Sequence, residues 1–396
     1  MKKLFILSIS MLLTWSAWAQ ETKGYEFATV KELPITSIKN QGNSGTCWSF
    51  SAVGFLESEL IRMGKGEHDL SEMYIVRRNY ADKAAKYVRV HGSLNFAQGG
   101  SFADVLETIN EYGVVPEESY KGLNYGEDTH KHSEIEGGLA GYVKGIMPKD
   151  SEKRTLSPVW EAGFNGILDT YFGAVPANFQ ANGKTYTPQE YAKSLGLDSD
   201  NYISLTSYTH HPFYKPFAIE IPDNWRWALS YNLPIDELMQ VFESVINNGY
   251  TIAWASDVSE NGFSRNGIAV FPDENDAESF GSDQSHWLGL SARERTTAVK
   301  AKLEAGPVKE KYVTQEERQK AFDNYETTDD HGMQIYGIAK DQNGTKYFMV
   351  KNSWGEYGPY KGLWYASEAF VRAKTMSIMI HKNALPKDIA KKLGIK

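Results

Sequence analysis

The sequence predicts an α+β fold, on three observations. Apolar residues recur at helical spacing just behind the single cysteine, Cys47. An amphipathic helical pattern at residues 234–248 runs into a buried-strand pattern, Thr251 to Trp254. A long hairpin pattern then fills residues 331–352. With 396 residues, 41% hydrophobic and 13% aromatic, the chain has apolar material for a sizeable core. Nothing in the composition points to a fibrous, disordered or disulfide-scaffold protein.

Taken in order, residues 1–19 have the layout of a secretory signal peptide: Lys2 and Lys3, an apolar run from Leu4 to Trp15, then Ala17-x-Ala19 before Gln20. The run is too short to span a bilayer, and no cysteine follows it to carry a lipid. The expectation is an exported protein, periplasmic or secreted, without membrane association. Loss of Lys2 and Lys3 would take the formal charge from −8 to −10. That acidity excludes nucleic acid as a natural partner. The remainder, 20–396, reads as one domain.

A short polar lead-in precedes Pro34. A helix is predicted over Trp48 to Met63, stopped by Gly64 and entered through Asn43-Ser44-Gly45-Thr46, with Cys47 in its first turn. Further helices are predicted for Ser71 to Lys86 and, after Gly99-Gly100-Ser101, for Phe102 to Tyr112. Residues from about 133 to 223 show weak periodicity and read as an insertion. Pro234 to Asn248 is a helix with Pro at its start. Gln284 to Leu290 reads as strand or loop and Thr314 to Tyr325 as a charged helix. The hairpin joins His331–Lys340 to Lys346–Asn352 through Asn343-Gly344. Asn343-Gly344-Thr345 also matches a glycosylation sequon, and the turn explains it better.

A lone cysteine cannot close an internal disulfide, so in an exported chain it is either inert or kept for reactivity. A helix N-terminus lowers a thiol pKa, and a nearby imidazole lowers it further. Of the nine histidines, His331 opens the hairpin that Asn352 closes. The two ends meet on one side of the sheet, where an Asn amide oxygen can orient the ring. Acyl transfer also needs oxyanion donors, and the Cys47 N–H and the Gln41 side chain are candidates. The pair His210-His211 lacks spaced Cys or acidic partners and reads as surface or core rather than a metal site.

These segments resemble the papain-like cysteine peptidases: QGNSGTCWSFSAVGF (41–55) around the nucleophile, DHGM (330–333) with the histidine, KNSWGEYG (351–358) with the asparagine, in the family's order. The resemblance implies a two-lobe fold with a helical lobe and an antiparallel β lobe. It implies Cys47 as nucleophile, His331 as base, Asn352 as its orienter and Gln41 in the oxyanion hole. Trp354 would shield the Asn–His bond, Trp48 would support the cleft, and Gly99-Gly100 would line it for peptide substrates. No metal or cofactor is implied.

Three departures point to the bleomycin hydrolase and aminopeptidase C type. Ser44 replaces the disulfide-forming cysteine, no long propeptide separates Gln20 from Cys47, and Cys47 and His331 stand 284 residues apart. That is about twice the papain-type spacing. Residues 232–258 also resemble that type's inter-lobe segment. The type implies an aminopeptidase and a homo-oligomer, a hexamer. The chain's end at Lys396 is expected to fall short of the type's C-terminal arm, which leaves an endopeptidase or dipeptide-releasing peptidase as the alternative. A catalytically silent peptide binder is the alternative of another class, and acyl transfer to an amine would use the same residues.

Overall fold

A computed structural model of the protein describes residues 24–148, 155–277 and 282–395. The predicted signal segment lies outside the described residues. The chain order is β1 (Phe27–Glu32), α1 (Cys47–Arg62), α2 (Glu72–Arg89), α3 (Phe102–Tyr112), α4 (Ser133–Ile146) and α5 (Trp160–Phe172). Next come β2 (Phe179–Ala181), β3 (Lys184–Tyr186), α6 (Pro188–Leu195), β4 (Tyr202–Thr206), β5 (Pro216–Ala218), β6 (Leu229–Asn232) and α7 (Ile235–Asn247). Then follow β7 (Ile252–Ser256), β8 (Phe263–Ser264), β9 (Ile268–Ala269), α8 (Gln284–Gly289), α9 (Ala292–Ala305) and α10 (Gln315–Asp323). The chain finishes with β10 (His331–Asp341), β11 (Lys346–Lys351), β12 (Leu363–Ser367), α11 (Glu368–Lys374), β13 (Thr375–His381) and α12 (Lys387–Leu393).

Helices α1 to α6 gather around one apolar core, built from residues such as Phe55, Leu56, Tyr74, Ile75, Phe164 and Phe172. Strands β4 to β13 form one mixed sheet, ordered β5-β6-β4-β13-β7-β10-β11-β12-β9-β8. A second core, with Trp254, Ile335, Phe348 and Val350, packs under α7 and α12. Burying each large side chain of this kind contributes about 1.5–3 kcal/mol relative to leaving it in water. The α+β reading and its two lobes are therefore present in the molecule.

Strand β10 organises the sheet lobe. Its first half, His331 to Ile335, pairs with β7, and its second half, Gly337 to Asp341, pairs with β1 along the same edge. The register on β11 shifts between Ile335 and Gly337, which leaves Tyr336 as a bulge where one partner hands over to the other. The lead-in before Pro34 is thus a strand, concealed because apolar Ala28 and Val30 are exposed along with Thr29 and Glu32, so no alternation marks a buried face.

Helix α1 lies between the lobes and turns two different faces to them. Phe55, Leu56 and Leu60 are wholly buried in the helical core. Toward the sheet the helix presents small residues, Ser51, Gly54 and Ser58. A methyl on Gly54 would stand 3.3 Å from both Gln334 Oε1 and Lys351 Nζ, and Gln334 Nε2 donates to Ser58 Oγ at 2.8 Å. This small polar seam brings the helix close to β10, so the start of α1 faces the start of β10.

One expectation fails. Gln284 to Leu290 is not a strand or plain loop: it contains α8. The Asp283 side chain accepts from the His286 N–H and caps the helix, and buried Trp287 donates its indole N–H to the Glu274 carbonyl at 2.7 Å. One cap and one tertiary anchor decide a helix too short for periodicity to register.

Candidate active site

Cys47 is the first residue of α1, with Thr46 as N-cap. The approach is held from two sides. Ser44 Oγ bonds Thr46 Oγ1 at 2.6 Å, and the Gly45 N–H donates to Gln98 Oε1 at 2.6 Å. Gln98 also accepts the Trp48 indole N–H on its carbonyl at 3.1 Å. The nucleophile segment is thereby tied to the loop that carries Gly99 and Gly100.

His331 opens β10 opposite Ser256 of β7. Its Nε2 lies 2.8 Å from Asn352 Oδ1, which also accepts the Ser353 N–H at 2.7 Å. An amide oxygen accepts, so the Nε2 proton points at Asn352 and Nδ1 is left as the acceptor. Trp354 lies over the ring, with centroids 4.7 Å apart and planes inclined by 34°. The hairpin does bring its two ends together: Gln334 pairs with Lys351, one residue short of Asn352, and the turn uses Gly344 at φ +84°.

Cys47, His331, Gly99, Gly100 and Trp48 line one cleft of about 310 Å³ between the lobes. Gly332, also on its wall, has no room for a side chain: a methyl there would stand 2.7 Å from Ser51 Oγ and 3.3 Å from the Cys47 carbonyl. The start of α1 and the start of β10 are thus held at close range by a glycine. Gly100 is equally confined, since a methyl there would meet Trp48 Cε2 at 2.8 Å and Asp104 Oδ2 at 2.9 Å. Three of the predicted residues, Gln41, Asn352 and Trp354, stand outside the cleft lining. Asn352 and Trp354 reach the cleft through the His331 ring.

Gln41 is buried and joins the lobes. Its Nε2 donates to the Ser44 carbonyl at 2.6 Å, its Oε1 accepts from Ser353 Oγ at 2.6 Å, and its backbone N–H donates to the Ser353 carbonyl at 2.8 Å. One Nε2 hydrogen remains uncommitted in this set. The amide is fixed by the residue after Asn352, so Gln41 and Asn352 share a support in Ser353.

The electrostatics depart from the expectation of a lowered thiol pKa. Burial pushes the Cys47 thiol up to about 12, aided by the negative charge of Asp329 and Asp223 and opposed by N–H groups of Gly332 and Trp48. Burial pushes His331 down to about 4, against the opposing bond to Asn352. Each group alone is neutral at pH 7, and desolvation outweighs the helix terminus.

Sequence reasoning missed Gly332, Ser353, Asp223 and Asp329. The first two are neighbours of His331 and Asn352, so their adjacency was the available signal. Asp329 stands two residues before His331, an acid beside the base. Asp223 left no local signal, because it reaches the cleft from the other end of a poorly periodic segment.

His210 and His211 lie elsewhere, where both turn Nε2 onto the Glu220 carboxylate, at 3.0 and 2.8 Å. The acidic partner that the sequence did not show is thus present, and His210, His211 and Glu220 bring candidate metal-ligand atoms within 4.8 Å of one another. A larger hollow of about 600 Å³ opens on the far side of α2 and α3, and its lining includes neither Cys47 nor His331.

Two family models match the chain. Residues 24–163 match the papain family cysteine proteases and residues 308–395 match the peptidase C1-like family. The chain is a papain-family cysteine peptidase. The peptidase is 23% identical to aminopeptidase G of Lactobacillus delbrueckii subsp. lactis, over 90% of its own length and 83% of the relative's. It is 24% identical to aminopeptidase C of Lactobacillus helveticus, over 90% and 84% of the two lengths. Its fold is similar to pepw from Lactobacillus rhamnosis, with a TM-score of 0.70 and 19% identity over 93% of this chain and 84% of that one. No helix among the described residues is long and apolar enough to cross a membrane.

Proposed function

We propose that this peptidase removes residues from the free N-termini of peptides through a Cys47 thioester. The observation that carries the chemistry is that Cys47 and His331 line one cleft, with His331 held by Asn352. His331 Nδ1 takes the thiol proton as Sγ attacks the scissile carbonyl. The Cys47 N–H and the free hydrogen of Gln41 Nε2 hold the oxyanion. His331 then protonates the leaving amine and activates water to hydrolyse the thioester. Trp354 keeps water off the His331–Asn352 bond, so that bond is not lost to solvent.

The N-terminal preference rests on the aminopeptidases C and G that the chain resembles. Export belongs to the same reading and rests on residues 1–19. A homo-oligomer is also part of it, a hexamer by resemblance to bleomycin hydrolase, and light scattering of the purified protein gives its mass.

The test is cleavage of a defined peptide pool by residues 20 onward, each peptide supplied with a free and with an acetylated N-terminus. Stepwise loss from free N-termini only, absent in Cys47→Ala, is the expected result. Internal cuts regardless of acetylation would replace the reading with an endopeptidase. No Cys47-dependent cleavage would leave a peptide binder.

A further inference from the structure

The charged side chains lining the cleft are Glu136, Asp223, Asp329 and Asp330, with His331 as the one basic group. Two of the four acids are committed elsewhere. Glu136 accepts from Gln98 Nε2 at 2.7 Å, and Asp330 accepts from the Val258 N–H at 2.8 Å. Asp223 and Asp329 have no hydrogen bond or ion pair among the described residues, though both face the cavity. The one cation whose field reaches Asp223 is Lys83, and its ammonium donates instead to the Ala97 carbonyl at 2.9 Å and to the Gly99 carbonyl.

Asp223 has a defined place. Its carboxylate lies against the Cα of Gly99, closer than any side chain there would permit. The segment carrying it is pinned on both sides of the cleft. Arg226 donates to Asp104 Oδ1 at 2.8 Å and is paired to Asp82, so it ties the segment to the start of α3 and to α2. Trp225 is buried, and Asn224 bridges the Ile219 and Ala228 carbonyls at 3.1 Å each. A carboxylate so fixed acts as a barrier on the glycine wall. Asp329 stands on the sheet side, two residues before the base.

We infer that Asp223 and Asp329 form a cation-binding end of the cleft, and that the cation they take is the free α-ammonium of the peptide's N-terminal residue. A wall of two glycines admits a main chain at close range. A peptide continuing past Gly99 would have to displace the Asp223 carboxylate and the anchored segment behind it. One that ends there brings three N–H donors and a positive charge to two acids without a partner among the described residues, a charge-assisted contact. Burial, with the repulsion of Asp223 and Asp330, drives Asp329 up to about 8, so it holds a proton near neutral pH and a bound ammonium favours its release. The same acids hold the Cys47 thiol up, so a docked ammonium also favours its ionisation.

This inference rests on the aminopeptidase reading, and the experiment separates the two. Steady-state kcat/KM is measured on one short peptide with a free and with an acetylated N-terminus, for wild type, Asp223→Asn, Asp329→Asn and Gly99→Ala. A third substrate is acetylated and carries Lys one residue before the cleaved one. Wild type is expected to prefer the free N-terminus, and each Asp→Asn change to reduce that preference about 10- to 100-fold. Gly99→Ala, which moves the Asp223 carboxylate instead of removing it, is expected to reduce it too. A strict preference that survives all three variants would overturn the inference and leave the aminopeptidase reading standing. Equal cleavage of free and acetylated peptides by wild type would remove that reading first. An effect confined to the Lys-bearing substrate would show that the acids read a side chain, which also overturns the assignment. Alkylation of Cys47 by iodoacetamide in each variant verifies that the cleft is assembled.

Discussion

The two walls of the cleft place their reactive groups by opposite means. The helical wall works by close approach: Gly99 under Asp223, Gly100 against Trp48, and Gly332 of the facing strand against Cys47 and Ser51. The sheet wall works by hydrogen bonding, with His331 on Asn352, Asn352 on Ser353 and Ser353 on Gln41. The first arrangement breaks when an atom is added, the second when one is removed. Conservative substitutions therefore have opposite meanings on the two sides.

The largest effect tests whether the walls act as one. Cys47→Ala and His331→Ala are each expected to lower kcat/KM about 10⁴-fold or more, and the double variant to lose little beyond either, because a nucleophile and its base act as a unit. Losses that multiply would mean that the two groups work separately. Asn352→Ala sharpens the sheet side. It frees the imidazole while leaving the fold intact, and kcat is expected to fall about 100-fold with little change in KM. An equal rise in KM would place Asn352 in substrate binding instead.

Gly332→Ala breaks the close approach directly. Its methyl would overlap Ser51 Oγ at 2.7 Å, so the helix must shift or the strand must bend. A loss of about 1–3 kcal/mol in denaturant unfolding is expected. An unchanged midpoint would show that the seam is slack.

The smallest effect concerns acid stability on the helical side. Burial pushes the His132 imidazole down to about 3, with the His130 charge adding to the shift, and neither His132 nitrogen has a partner among the described residues. Its free value is about 6.5, so the unfolded chain takes the proton first. The stability that His132 contributes is complete above pH 6.5 and is lost as pH falls from there toward 3. Two half-buried carboxyls, Glu310 and Glu117, are raised by burial to about 7 and act in the other direction, losing stability as pH climbs from about 4.5 toward 7. The clean readout is thus the difference between wild type and His132→Phe, whose melting temperature should fall less between pH 6.5 and pH 4. Parallel curves would contradict the assignment.

Much of this was legible in the sequence where order is local. The spacing from Trp48 places α1 to within a residue at each end, and Ser101 before Phe102 places α3, whose capping box is formed with Asp104. Asn343-Gly344 marks the turn of the long hairpin, and the turn then fixes which residues meet at its open end. What stayed hidden is non-local. In residues 133–223, α4 and α5 run 14 and 13 residues, but glycines such as Gly137, Gly138, Gly141 and Gly163 blur their apolar period, and the strands there have only three to five residues. β4, within that stretch, is nonetheless a full member of the large sheet, beside β13. Asp223 meets Gly99 only once both lobes are assembled. Burial of the thiol, which opposes the helix terminus, is non-local in the same way, because a helix terminus is visible in a sequence and burial by a second lobe is not.

The most direct test of the central claim uses the chain's single cysteine. The pH dependence of Cys47 alkylation by iodoacetamide, a neutral probe that the acidic cleft does not repel, is measured for wild type and His331→Ala. If the two walls hold a working pair, wild type reacts at pH 6 and the loss of His331 slows the reaction about 100-fold or more. Equal rates at pH 6, or labelling that begins only at strongly alkaline pH in both proteins, would mean that the thiol and the imidazole are merely neighbours.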